Sequence, residues 1–341
     1  MSVLFRVVVG MLACLSLWPL EASAWDRGEV ERFATLPKGA PNPEGIAADR
    51  HGNIYASGFN PLNSAGPGHV FVFDDRGRLL RTLRPGGTSN ALLGMGFNAR
   101  GDLLVIDFGQ GKVFKVDTEN ETAPAVLFTS VPGNASTGFG LNALTFDHSG
   151  NVYISDSFQG VIWKTGPAGG AATEWKRDPL LGTTGFPPFG ANGLQFNSDE
   201  SALFVANTGN DTVVRIASAG GVAGDASVFT NSINGADGLM IDEDDNVWVC
   251  ANQADEIVVT DKTGKAIAKL GDFNGISGGR PVGFLFPASL VRSGDWVYVT
   301  NLSLDLRPIT GQQSVDSQWA AEVTRNTLSR VPARLPRPEF D

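Results

Sequence analysis

The sequence predicts an all-β fold, a six-bladed β-propeller of four-stranded blades closed by an N-terminal strand. Three observations carry that expectation. One hairpin pattern recurs six times, its copies start 45 to 51 residues apart, and no stretch shows helical periodicity of any length. The copies are "EGIAADRHGNIYASGF" from Glu44, "LGMGFNARGDLLVIDF" from Leu93 and "NALTFDHSGNVYISDS" from Asn142. They continue with "NGLQFNSDESALFVANT" from Asn192, "DGLMIDEDDNVWVCAN" from Asp237 and "ASLVRSGDWVYVTNL" from Ala288.

Each copy is an apolar strand, an Asx or Gly turn, and a β-branched or aromatic strand. A third strand usually follows, such as "GHVFVFD" or "GKVFKVD", and often a fourth, such as "LLRTL" or "AVLFTS". Four strands every ~50 residues is the period of propeller blades, whose faces are buried against neighbouring blades. The last copy has "NTLSRVPA" for a third strand and no clear fourth. Residues 29–35 are therefore expected to supply it, closing the ring from both chain ends and hiding exposed edges. The Pro-rich tail "RVPARLPRPEFD" reads as a surface extension. Glycine, 42 of 341 residues, exceeds the usual ~7% and fits a chain of many tight turns.

Arg6 precedes an apolar run, "VVVGMLACLSLWPL", and then the small-x-small site Ala22-Ser23-Ala24. The run is too short and too close to that site for a membrane anchor. Residues 1–24 thus read as an export signal and 25–341 as one propeller domain, secreted or periplasmic. The formal charge of −10 without a basic block argues against nucleic acid or anionic membranes as partners. A monomer acting on a small molecule is expected. Only Cys250 survives cleavage; in "NVWVCAN" it reads as a core residue, with no intramolecular disulfide possible.

In a propeller the first strand of each blade lines the central channel. The residues at the heads of these strands are Glu44, Leu93, Asn142, Asn192, Asp237 and Ala288. Asn-Gly and Asp-Gly are common turn dipeptides, which would account for Asn192 and Asp237 without a ligand. Turn chemistry accounts poorly for Glu44 and for Asn142-Ala143. The other reading is a hard-cation site. Two carboxylates and two amide oxygens converging on an axis suit Ca²⁺ or another divalent ion, with water completing the shell. Without the ion, Glu44 and Asp237 would repel each other, and one should hold a proton. Zinc and soft-metal sites lack candidates, since the chain has 3 His and 2 Cys.

The spacing, with Glu44 in "PEG", Asn192 in "ANGL" and Asp237 in "ADGL", resembles the senescence-marker-protein/gluconolactonase (regucalcin) family across essentially the whole mature chain. Paraoxonases and bacterial lactonases share that plan. The resemblance implies that Glu44, Asn192 and Asp237 bind a divalent cation, usually calcium. It also implies that Asn142 in "LNAL" contacts substrate or a metal-bound water, and that Asp237 doubles as the general base of lactone hydrolysis. Leu93 and Phe139 are the further expected substrate contacts. Two departures bear on the substrate. The stretch "STGFGLNAL" lacks the Arg that sugar-lactone enzymes often carry there, and Leu93 stands where paraoxonases place a His. If "GTTGFPPFGANGL" and "GGRPVGFLFPASL" border the mouth, an apolar lactone or ester fits better than a sugar acid; they could equally be inter-blade packing loops.

A second set follows the second strands: Ser57, Asp107, Asp156, Asn207, Asn252 and Asn301, read as caps bonding neighbouring loops, with lining of the substrate mouth as the alternative. "DEDDN" at 242–246 reads as a solvated turn, because it lacks the Gly and distant Glu of an EF-hand. His51 and His148 fall in turns, and His69 reads as structural. No Gly-x-Ser-x-Gly elbow or dinucleotide fingerprint is present. The alternative from another class is a non-catalytic propeller of the NHL type, with the cation as an axial plug.

Overall fold

The computed structural model describes residues 26–335. The expected export signal therefore lies outside the described residues, as does the tail beyond 335. Six four-stranded antiparallel sheets succeed one another along the chain. Their inner strands are Asn42–Ala48, Leu92–Phe97, Leu141–Phe146, Ala191–Phe196, Ala236–Ile241 and Pro287–Ser293. Each inner strand packs on the next, and the sixth packs on the first, so the ring is closed around an axis. This is the six-bladed propeller that the repeat predicted.

The sixth blade is completed from the N-terminus. Glu31–Thr35 pairs outside Thr327–Pro332, with Glu31 opposite Arg330. The Arg330 guanidinium reaches Glu31 at 2.6 Å and lies 4.0 Å over the Trp296 ring. The closing strand is thus tied to a side chain on the far end of the chain. The tail starts later than its composition suggested, because Arg330, Val331 and Pro332 belong to the strand.

The turns explain the repeat. In blade one Asp49 accepts from the Asn53 backbone at 2.9 Å and from its side chain at 2.8 Å, and takes the Tyr55 hydroxyl at 3.3 Å. Asp147, Asn151 and Tyr153 repeat this in blade three; Asp242, Asn246 and Trp248 repeat it in blade five. One Asp closes the turn and caps an aromatic ring two residues into the next strand. "DEDDN" is such a turn, and His51 and His148 occupy two others, exposed to solvent. His69 stacks on Phe71 and bonds Asn90 at 3.0 Å. Cys250 is fully buried in a core strand.

One segment departs from the repeat. Between Trp296–Asn301 and Thr327–Pro332 the chain makes a long excursion, residues 302–326, with single-turn helices at Arg307–Thr310 and Ser317–Ala320. A short extra hairpin, Phe273–Ser277 with Arg280–Gly283, stands beside it. The excursion has no apolar pattern at helical spacing, so nothing in its sequence marks helices.

Candidate functional site

Every inner strand carries the same irregularity. Pairing with the second strand slips between Pro43 and Ile46, Leu92 and Met95, Leu141 and Leu144, Ala191 and Leu194, Ala236 and Leu239, and Pro287 and Leu290. The two residues inside each slip leave the ladder, as in a β-bulge, which re-aims a side chain. The first of those two is Glu44, Leu93, Asn142, Asn192, Asp237 or Ala288. The second is small: Gly45, Gly94, Ala143, Gly193, Gly238 or Ser289. A Cβ on Gly193 would stand 2.5 Å from the Leu239 nitrogen, and one on Gly45 2.3 Å from the Leu93 oxygen. Small residues here let the inner strands close on the axis.

Hydroxyls take over the freed backbone. Ser57 accepts the Gly45 N–H at 2.8 Å and donates to the Leu93 carbonyl at 2.8 Å. Ser155 accepts the Ala143 N–H at 3.0 Å, and Thr300 accepts the Ser289 N–H at 2.9 Å. Ser57 is therefore a bulge residue rather than an end cap.

Five of the six slip residues, all but Ala288, line one cavity of about 290 Å³. Glu44, Asn142, Asn192 and Asp237 are each about 95% buried, at 4%, 5%, 4% and 4% exposure. Asn252 donates to Asp237 Oδ2 at 2.7 Å and is itself held by Gln253 at 2.9 Å. The Asn192 amide nitrogen donates to Thr208 Oγ1 at 2.9 Å, and that of Asn142 to Ser157 Oγ at 3.5 Å. With their nitrogens engaged, the two amides keep their Oδ1 atoms for the cavity. Glu44 Oε2 and Asp237 Oδ1 are buried with no hydrogen-bond partner.

The electrostatics follow from burial. Desolvation, and then the charge of Asp237, hold the Glu44 carboxyl well above its usual range. Burial pushes Asp237 up to about 7, although bonding from Asn252 and Asn192 draws it down. Two buried carboxylates with orphan oxygens, flanked by two amide oxygens, fit a hard divalent cation, which would neutralise them.

Strand register separates two rings that the sequence reading merged. Asp107, Asp156, Asn207 and Asn301 stand opposite the residue before the slip or at its edge. They bond loop backbone: Asp156 accepts from Gly140, Phe158 and Gln159, and Asn207 donates to Leu180 and Gly182. These are the expected caps. In blade five Ala251 holds that place. Asn252 falls one position later, with Phe59, Phe108, Ser157, Thr208 and Leu302, in a ring that faces the site. That ring is polar on blades three to five, beside Asn142, Asn192 and Asp237, and apolar on the others. The equal spacing of the caps hid the one-residue offset.

The remaining cavity wall is apolar: Phe59, Phe108, Phe158, Pro187, Phe189 and Phe286, with Leu93 on the inner ring. Pro187, Phe189 and Phe286 come from the two Phe/Pro/Gly segments, so these do border the mouth. Leu302, Leu304, Leu306 and Ile309 complete the wall from the 302–326 excursion, a contribution the sequence reading missed. Their alternating leucines resemble an ordinary strand, and only the tertiary fold turns them inward. Phe139 does not line the cavity. The turn closed by Asn134 and Gly138 carries it outward, where its ring covers Gly111 and Gly133, and Phe158 supplies the aromatic wall of blade three.

Known proteins resemble this chain in the same terms. A family model described as "SMP-30/Gluconolactonase/LRE-like region" matches residues 87–271. The lactonase drp35 of Staphylococcus aureus (strain bovine RF122 / ET3-1) is 24% identical over 230 residues, 52% of this chain and 69% of its own. Among solved structures, a luciferin-regenerating enzyme superposes with TM-score 0.66 at 15% identity, covering 89% of this chain and 95% of its own. A gluconolactonase of Xanthomonas campestris gives 0.58 at 14% identity, covering 87% and 88%. The calcium-binding protein regucalcin of Agrobacterium tumefaciens gives 0.59 at 16% identity, covering 89% and 97%. At such identities the structures establish the propeller fold alone. The family match spans more than half of the sequence, from before the second inner strand to the end of the fifth blade, and the chain belongs to the SMP-30/gluconolactonase/LRE-like family.

Proposed function

We propose that this chain is an exported, metal-dependent hydrolase of an apolar lactone or ester. The observation that carries the reading is the pair of buried orphan oxygens, Glu44 Oε2 and Asp237 Oδ1, at the floor of an apolar cavity. Family membership and the drp35 lactonase support the reaction class. The calcium-binding neighbour supports the choice of ion. Glu44, Asn142, Asn192 and Asp237 would hold a Ca²⁺-type cation. When bound, it would polarise the substrate carbonyl and lower the pKa of a bound water.

The chain's own residues do the rest. Asp237, fixed by Asn252 at 2.7 Å, is the general base that takes a proton from the attacking water. Asn142 orients the substrate carbonyl or that water, and Leu93 packs against the ring. The phenylalanines and leucines of the wall exclude bulk water and select apolar acyl or alkyl groups. No cationic side chain lines the cavity among the described residues, which disfavours an anionic sugar acid. A cavity beside the four donors also favours turnover over an axial plug, whose donors would be closed off by protein.

The test is hydrolysis of a panel of aliphatic, aromatic and sugar lactones and esters, with calcium, with chelator, and with Asp237→Ala. Turnover of apolar members that vanishes with chelator and in the variant is expected. No turnover on any member, with calcium still raising the melting temperature, would leave a metal-plugged binding propeller instead.

A further inference from the structure

The 302–326 excursion that walls the cavity is fastened to blade five through two carboxylates that the proposed hydrolysis does not use. Asp255 precedes the strand Glu256–Thr260, and Asp316 precedes the helix Ser317–Ala320. Both are buried, at 8% and 4% exposure, and they face each other. Asp255 Oδ1 accepts the Phe286 N–H at 2.7 Å, and thereby holds a cavity-lining residue in a left-handed backbone at φ 52°. Asp316 Oδ2 is buried without a hydrogen-bond partner.

Among the described residues no cation serves this pair. Arg27 and Lys269 are committed to Glu256, and Arg307 to Asp305. Arg280 on the extra hairpin and Arg325 at the end of the excursion form no ion pair with either carboxylate; each keeps a buried, unbonded Nε. The other charge acting on Asp255 is Asp272, also acidic. Two like charges buried in contact, with no donor for the orphan oxygen, are stable only if a proton sits between them.

We propose that Asp255 and Asp316 share one proton that latches residues 302–326 over the cavity, and that loss of this proton releases them. Burial, then the Asp316 charge, hold Asp255 up to about 8; burial holds Asp316 up to about 6. Between its pinned ends the excursion has little else to keep it closed. Its helices are four residues each, too short to persist alone. Its two ends are pinned, Leu302 and Ser303 to Phe286, Leu285 and Asn42, and Asn326 to Leu36, Ala40 and Pro41. Between them the tertiary anchors are the leucines in the cavity wall, the Trp319 edge on Phe273 at 5.4 Å, and the Thr324 and Arg325 N–H groups on the Gly279 carbonyl. The closed form binds the proton more tightly than the open form, so it is favoured below the titration range and loses that advantage as pH rises through it. Opening should increase by up to about tenfold per pH unit while the closed pair alone keeps its proton, and level off above about pH 8.

The latch does not depend on the hydrolysis reading, and its test uses no substrate. Amide hydrogen exchange of the 302–326 peptides is measured by mass spectrometry from pH 5.5 to 9, corrected for the intrinsic rate, in wild type, Asp316→Asn and Asp255→Asn. Wild-type opening that rises with pH, and a flat profile in whichever variants fold, is expected, with the strand Val152–Asp156 as an unchanged internal reference. A flat wild-type profile, or an unchanged slope in a folded variant, would overturn the latch. So would calcium that restores slow exchange at pH 9 in wild type but not in Asp316→Asn, since a cation would then occupy the place of the proton.

Discussion

Asp237→Asn in the chelated protein removes a carboxylate that burial destabilises in its charged form. The native carboxyl titrates at about 7 against an ordinary 3.8, a displacement of about three pH units, or about 4 kcal/mol at 1.36 kcal/mol each. Sharing of the proton with Glu44 reduces the part assignable to Asp237 alone, to about 2–4 kcal/mol. The sign is fixed by the direction of the shift. Between about pH 4 and 7 the native state holds a proton that the unfolded chain has released, so stability falls as pH rises and the full loss is present above about 7. Asparagine has the same shape, can still accept from Asn252, and carries no charge. At an unfolding entropy of about 2.1 cal/mol/K per residue over about 310 residues, the substitution should raise the melting temperature by about 3–6 °C at pH 8. It should have little effect near pH 4. Calorimetric melts in chelator across that pH range measure it. The same variant should lose the calcium-induced rise in melting temperature expected of wild type. A chelated variant no more stable than wild type at pH 8, or one that keeps the full calcium response, would refute the electrostatic account of this site.

Calcium binding near pH 6 should release about one to two protons per ion, because the cation replaces the protons held by the Glu44–Asp237 pair. Titration calorimetry in buffers of different ionisation enthalpy reads this directly, and zero release would contradict a protonated pair. Asn252→Ala removes the donor 2.7 Å from Asp237 and should weaken calcium about 10–100-fold, as measured by competition with a fluorescent chelator. Gly193→Ala puts a methyl 2.5 Å from the Leu239 nitrogen and should cost about 1–3 kcal/mol in denaturant unfolding, with inner strands forced apart. Phe158→Ala opens the aromatic wall and should raise KM for apolar substrates more than it lowers kcat, since the Phe158 side chain makes none of the hydrogen bonds that hold the oxygen donors.

Much of this was legible in the chain. The Asp-x-x-Gly-Asn-x-Tyr turns are local chemistry, so the hairpins and their period could be read without coordinates. The heads of the inner strands could be read because the repeat brings Glu44, Asn142, Asn192 and Asp237 into one register. The closing strand at Glu31–Thr35 followed from counting three strands in the last blade. What failed did so where contacts are not local. Spacing along the chain favours a cap over a mouth-lining place for Asn252, because it does not show which residue stands opposite a bulge; only the pairing of Ala236 with Ala251 does. Phe139 stands close to Asn142 in the chain, yet the turn closed by Asn134 and Gly138 just before it sets its ring on Gly111 and Gly133 rather than in the cavity.

The sequence by itself determined the blade count, the ring closure and the four oxygen donors, because a repeated local pattern repeats its geometry. The tertiary structure decided how those donors are supported and what surrounds them. Bulges free each donor from its ladder, hydroxyls and amides from the next strand orient three of the four, and residues 302–326 fold back to wall the cavity with leucine. Those contacts join residues far apart in the chain. Their energies depend on burial and on like charges meeting at Glu44–Asp237 and Asp255–Asp316, and neither exists until the ring has closed.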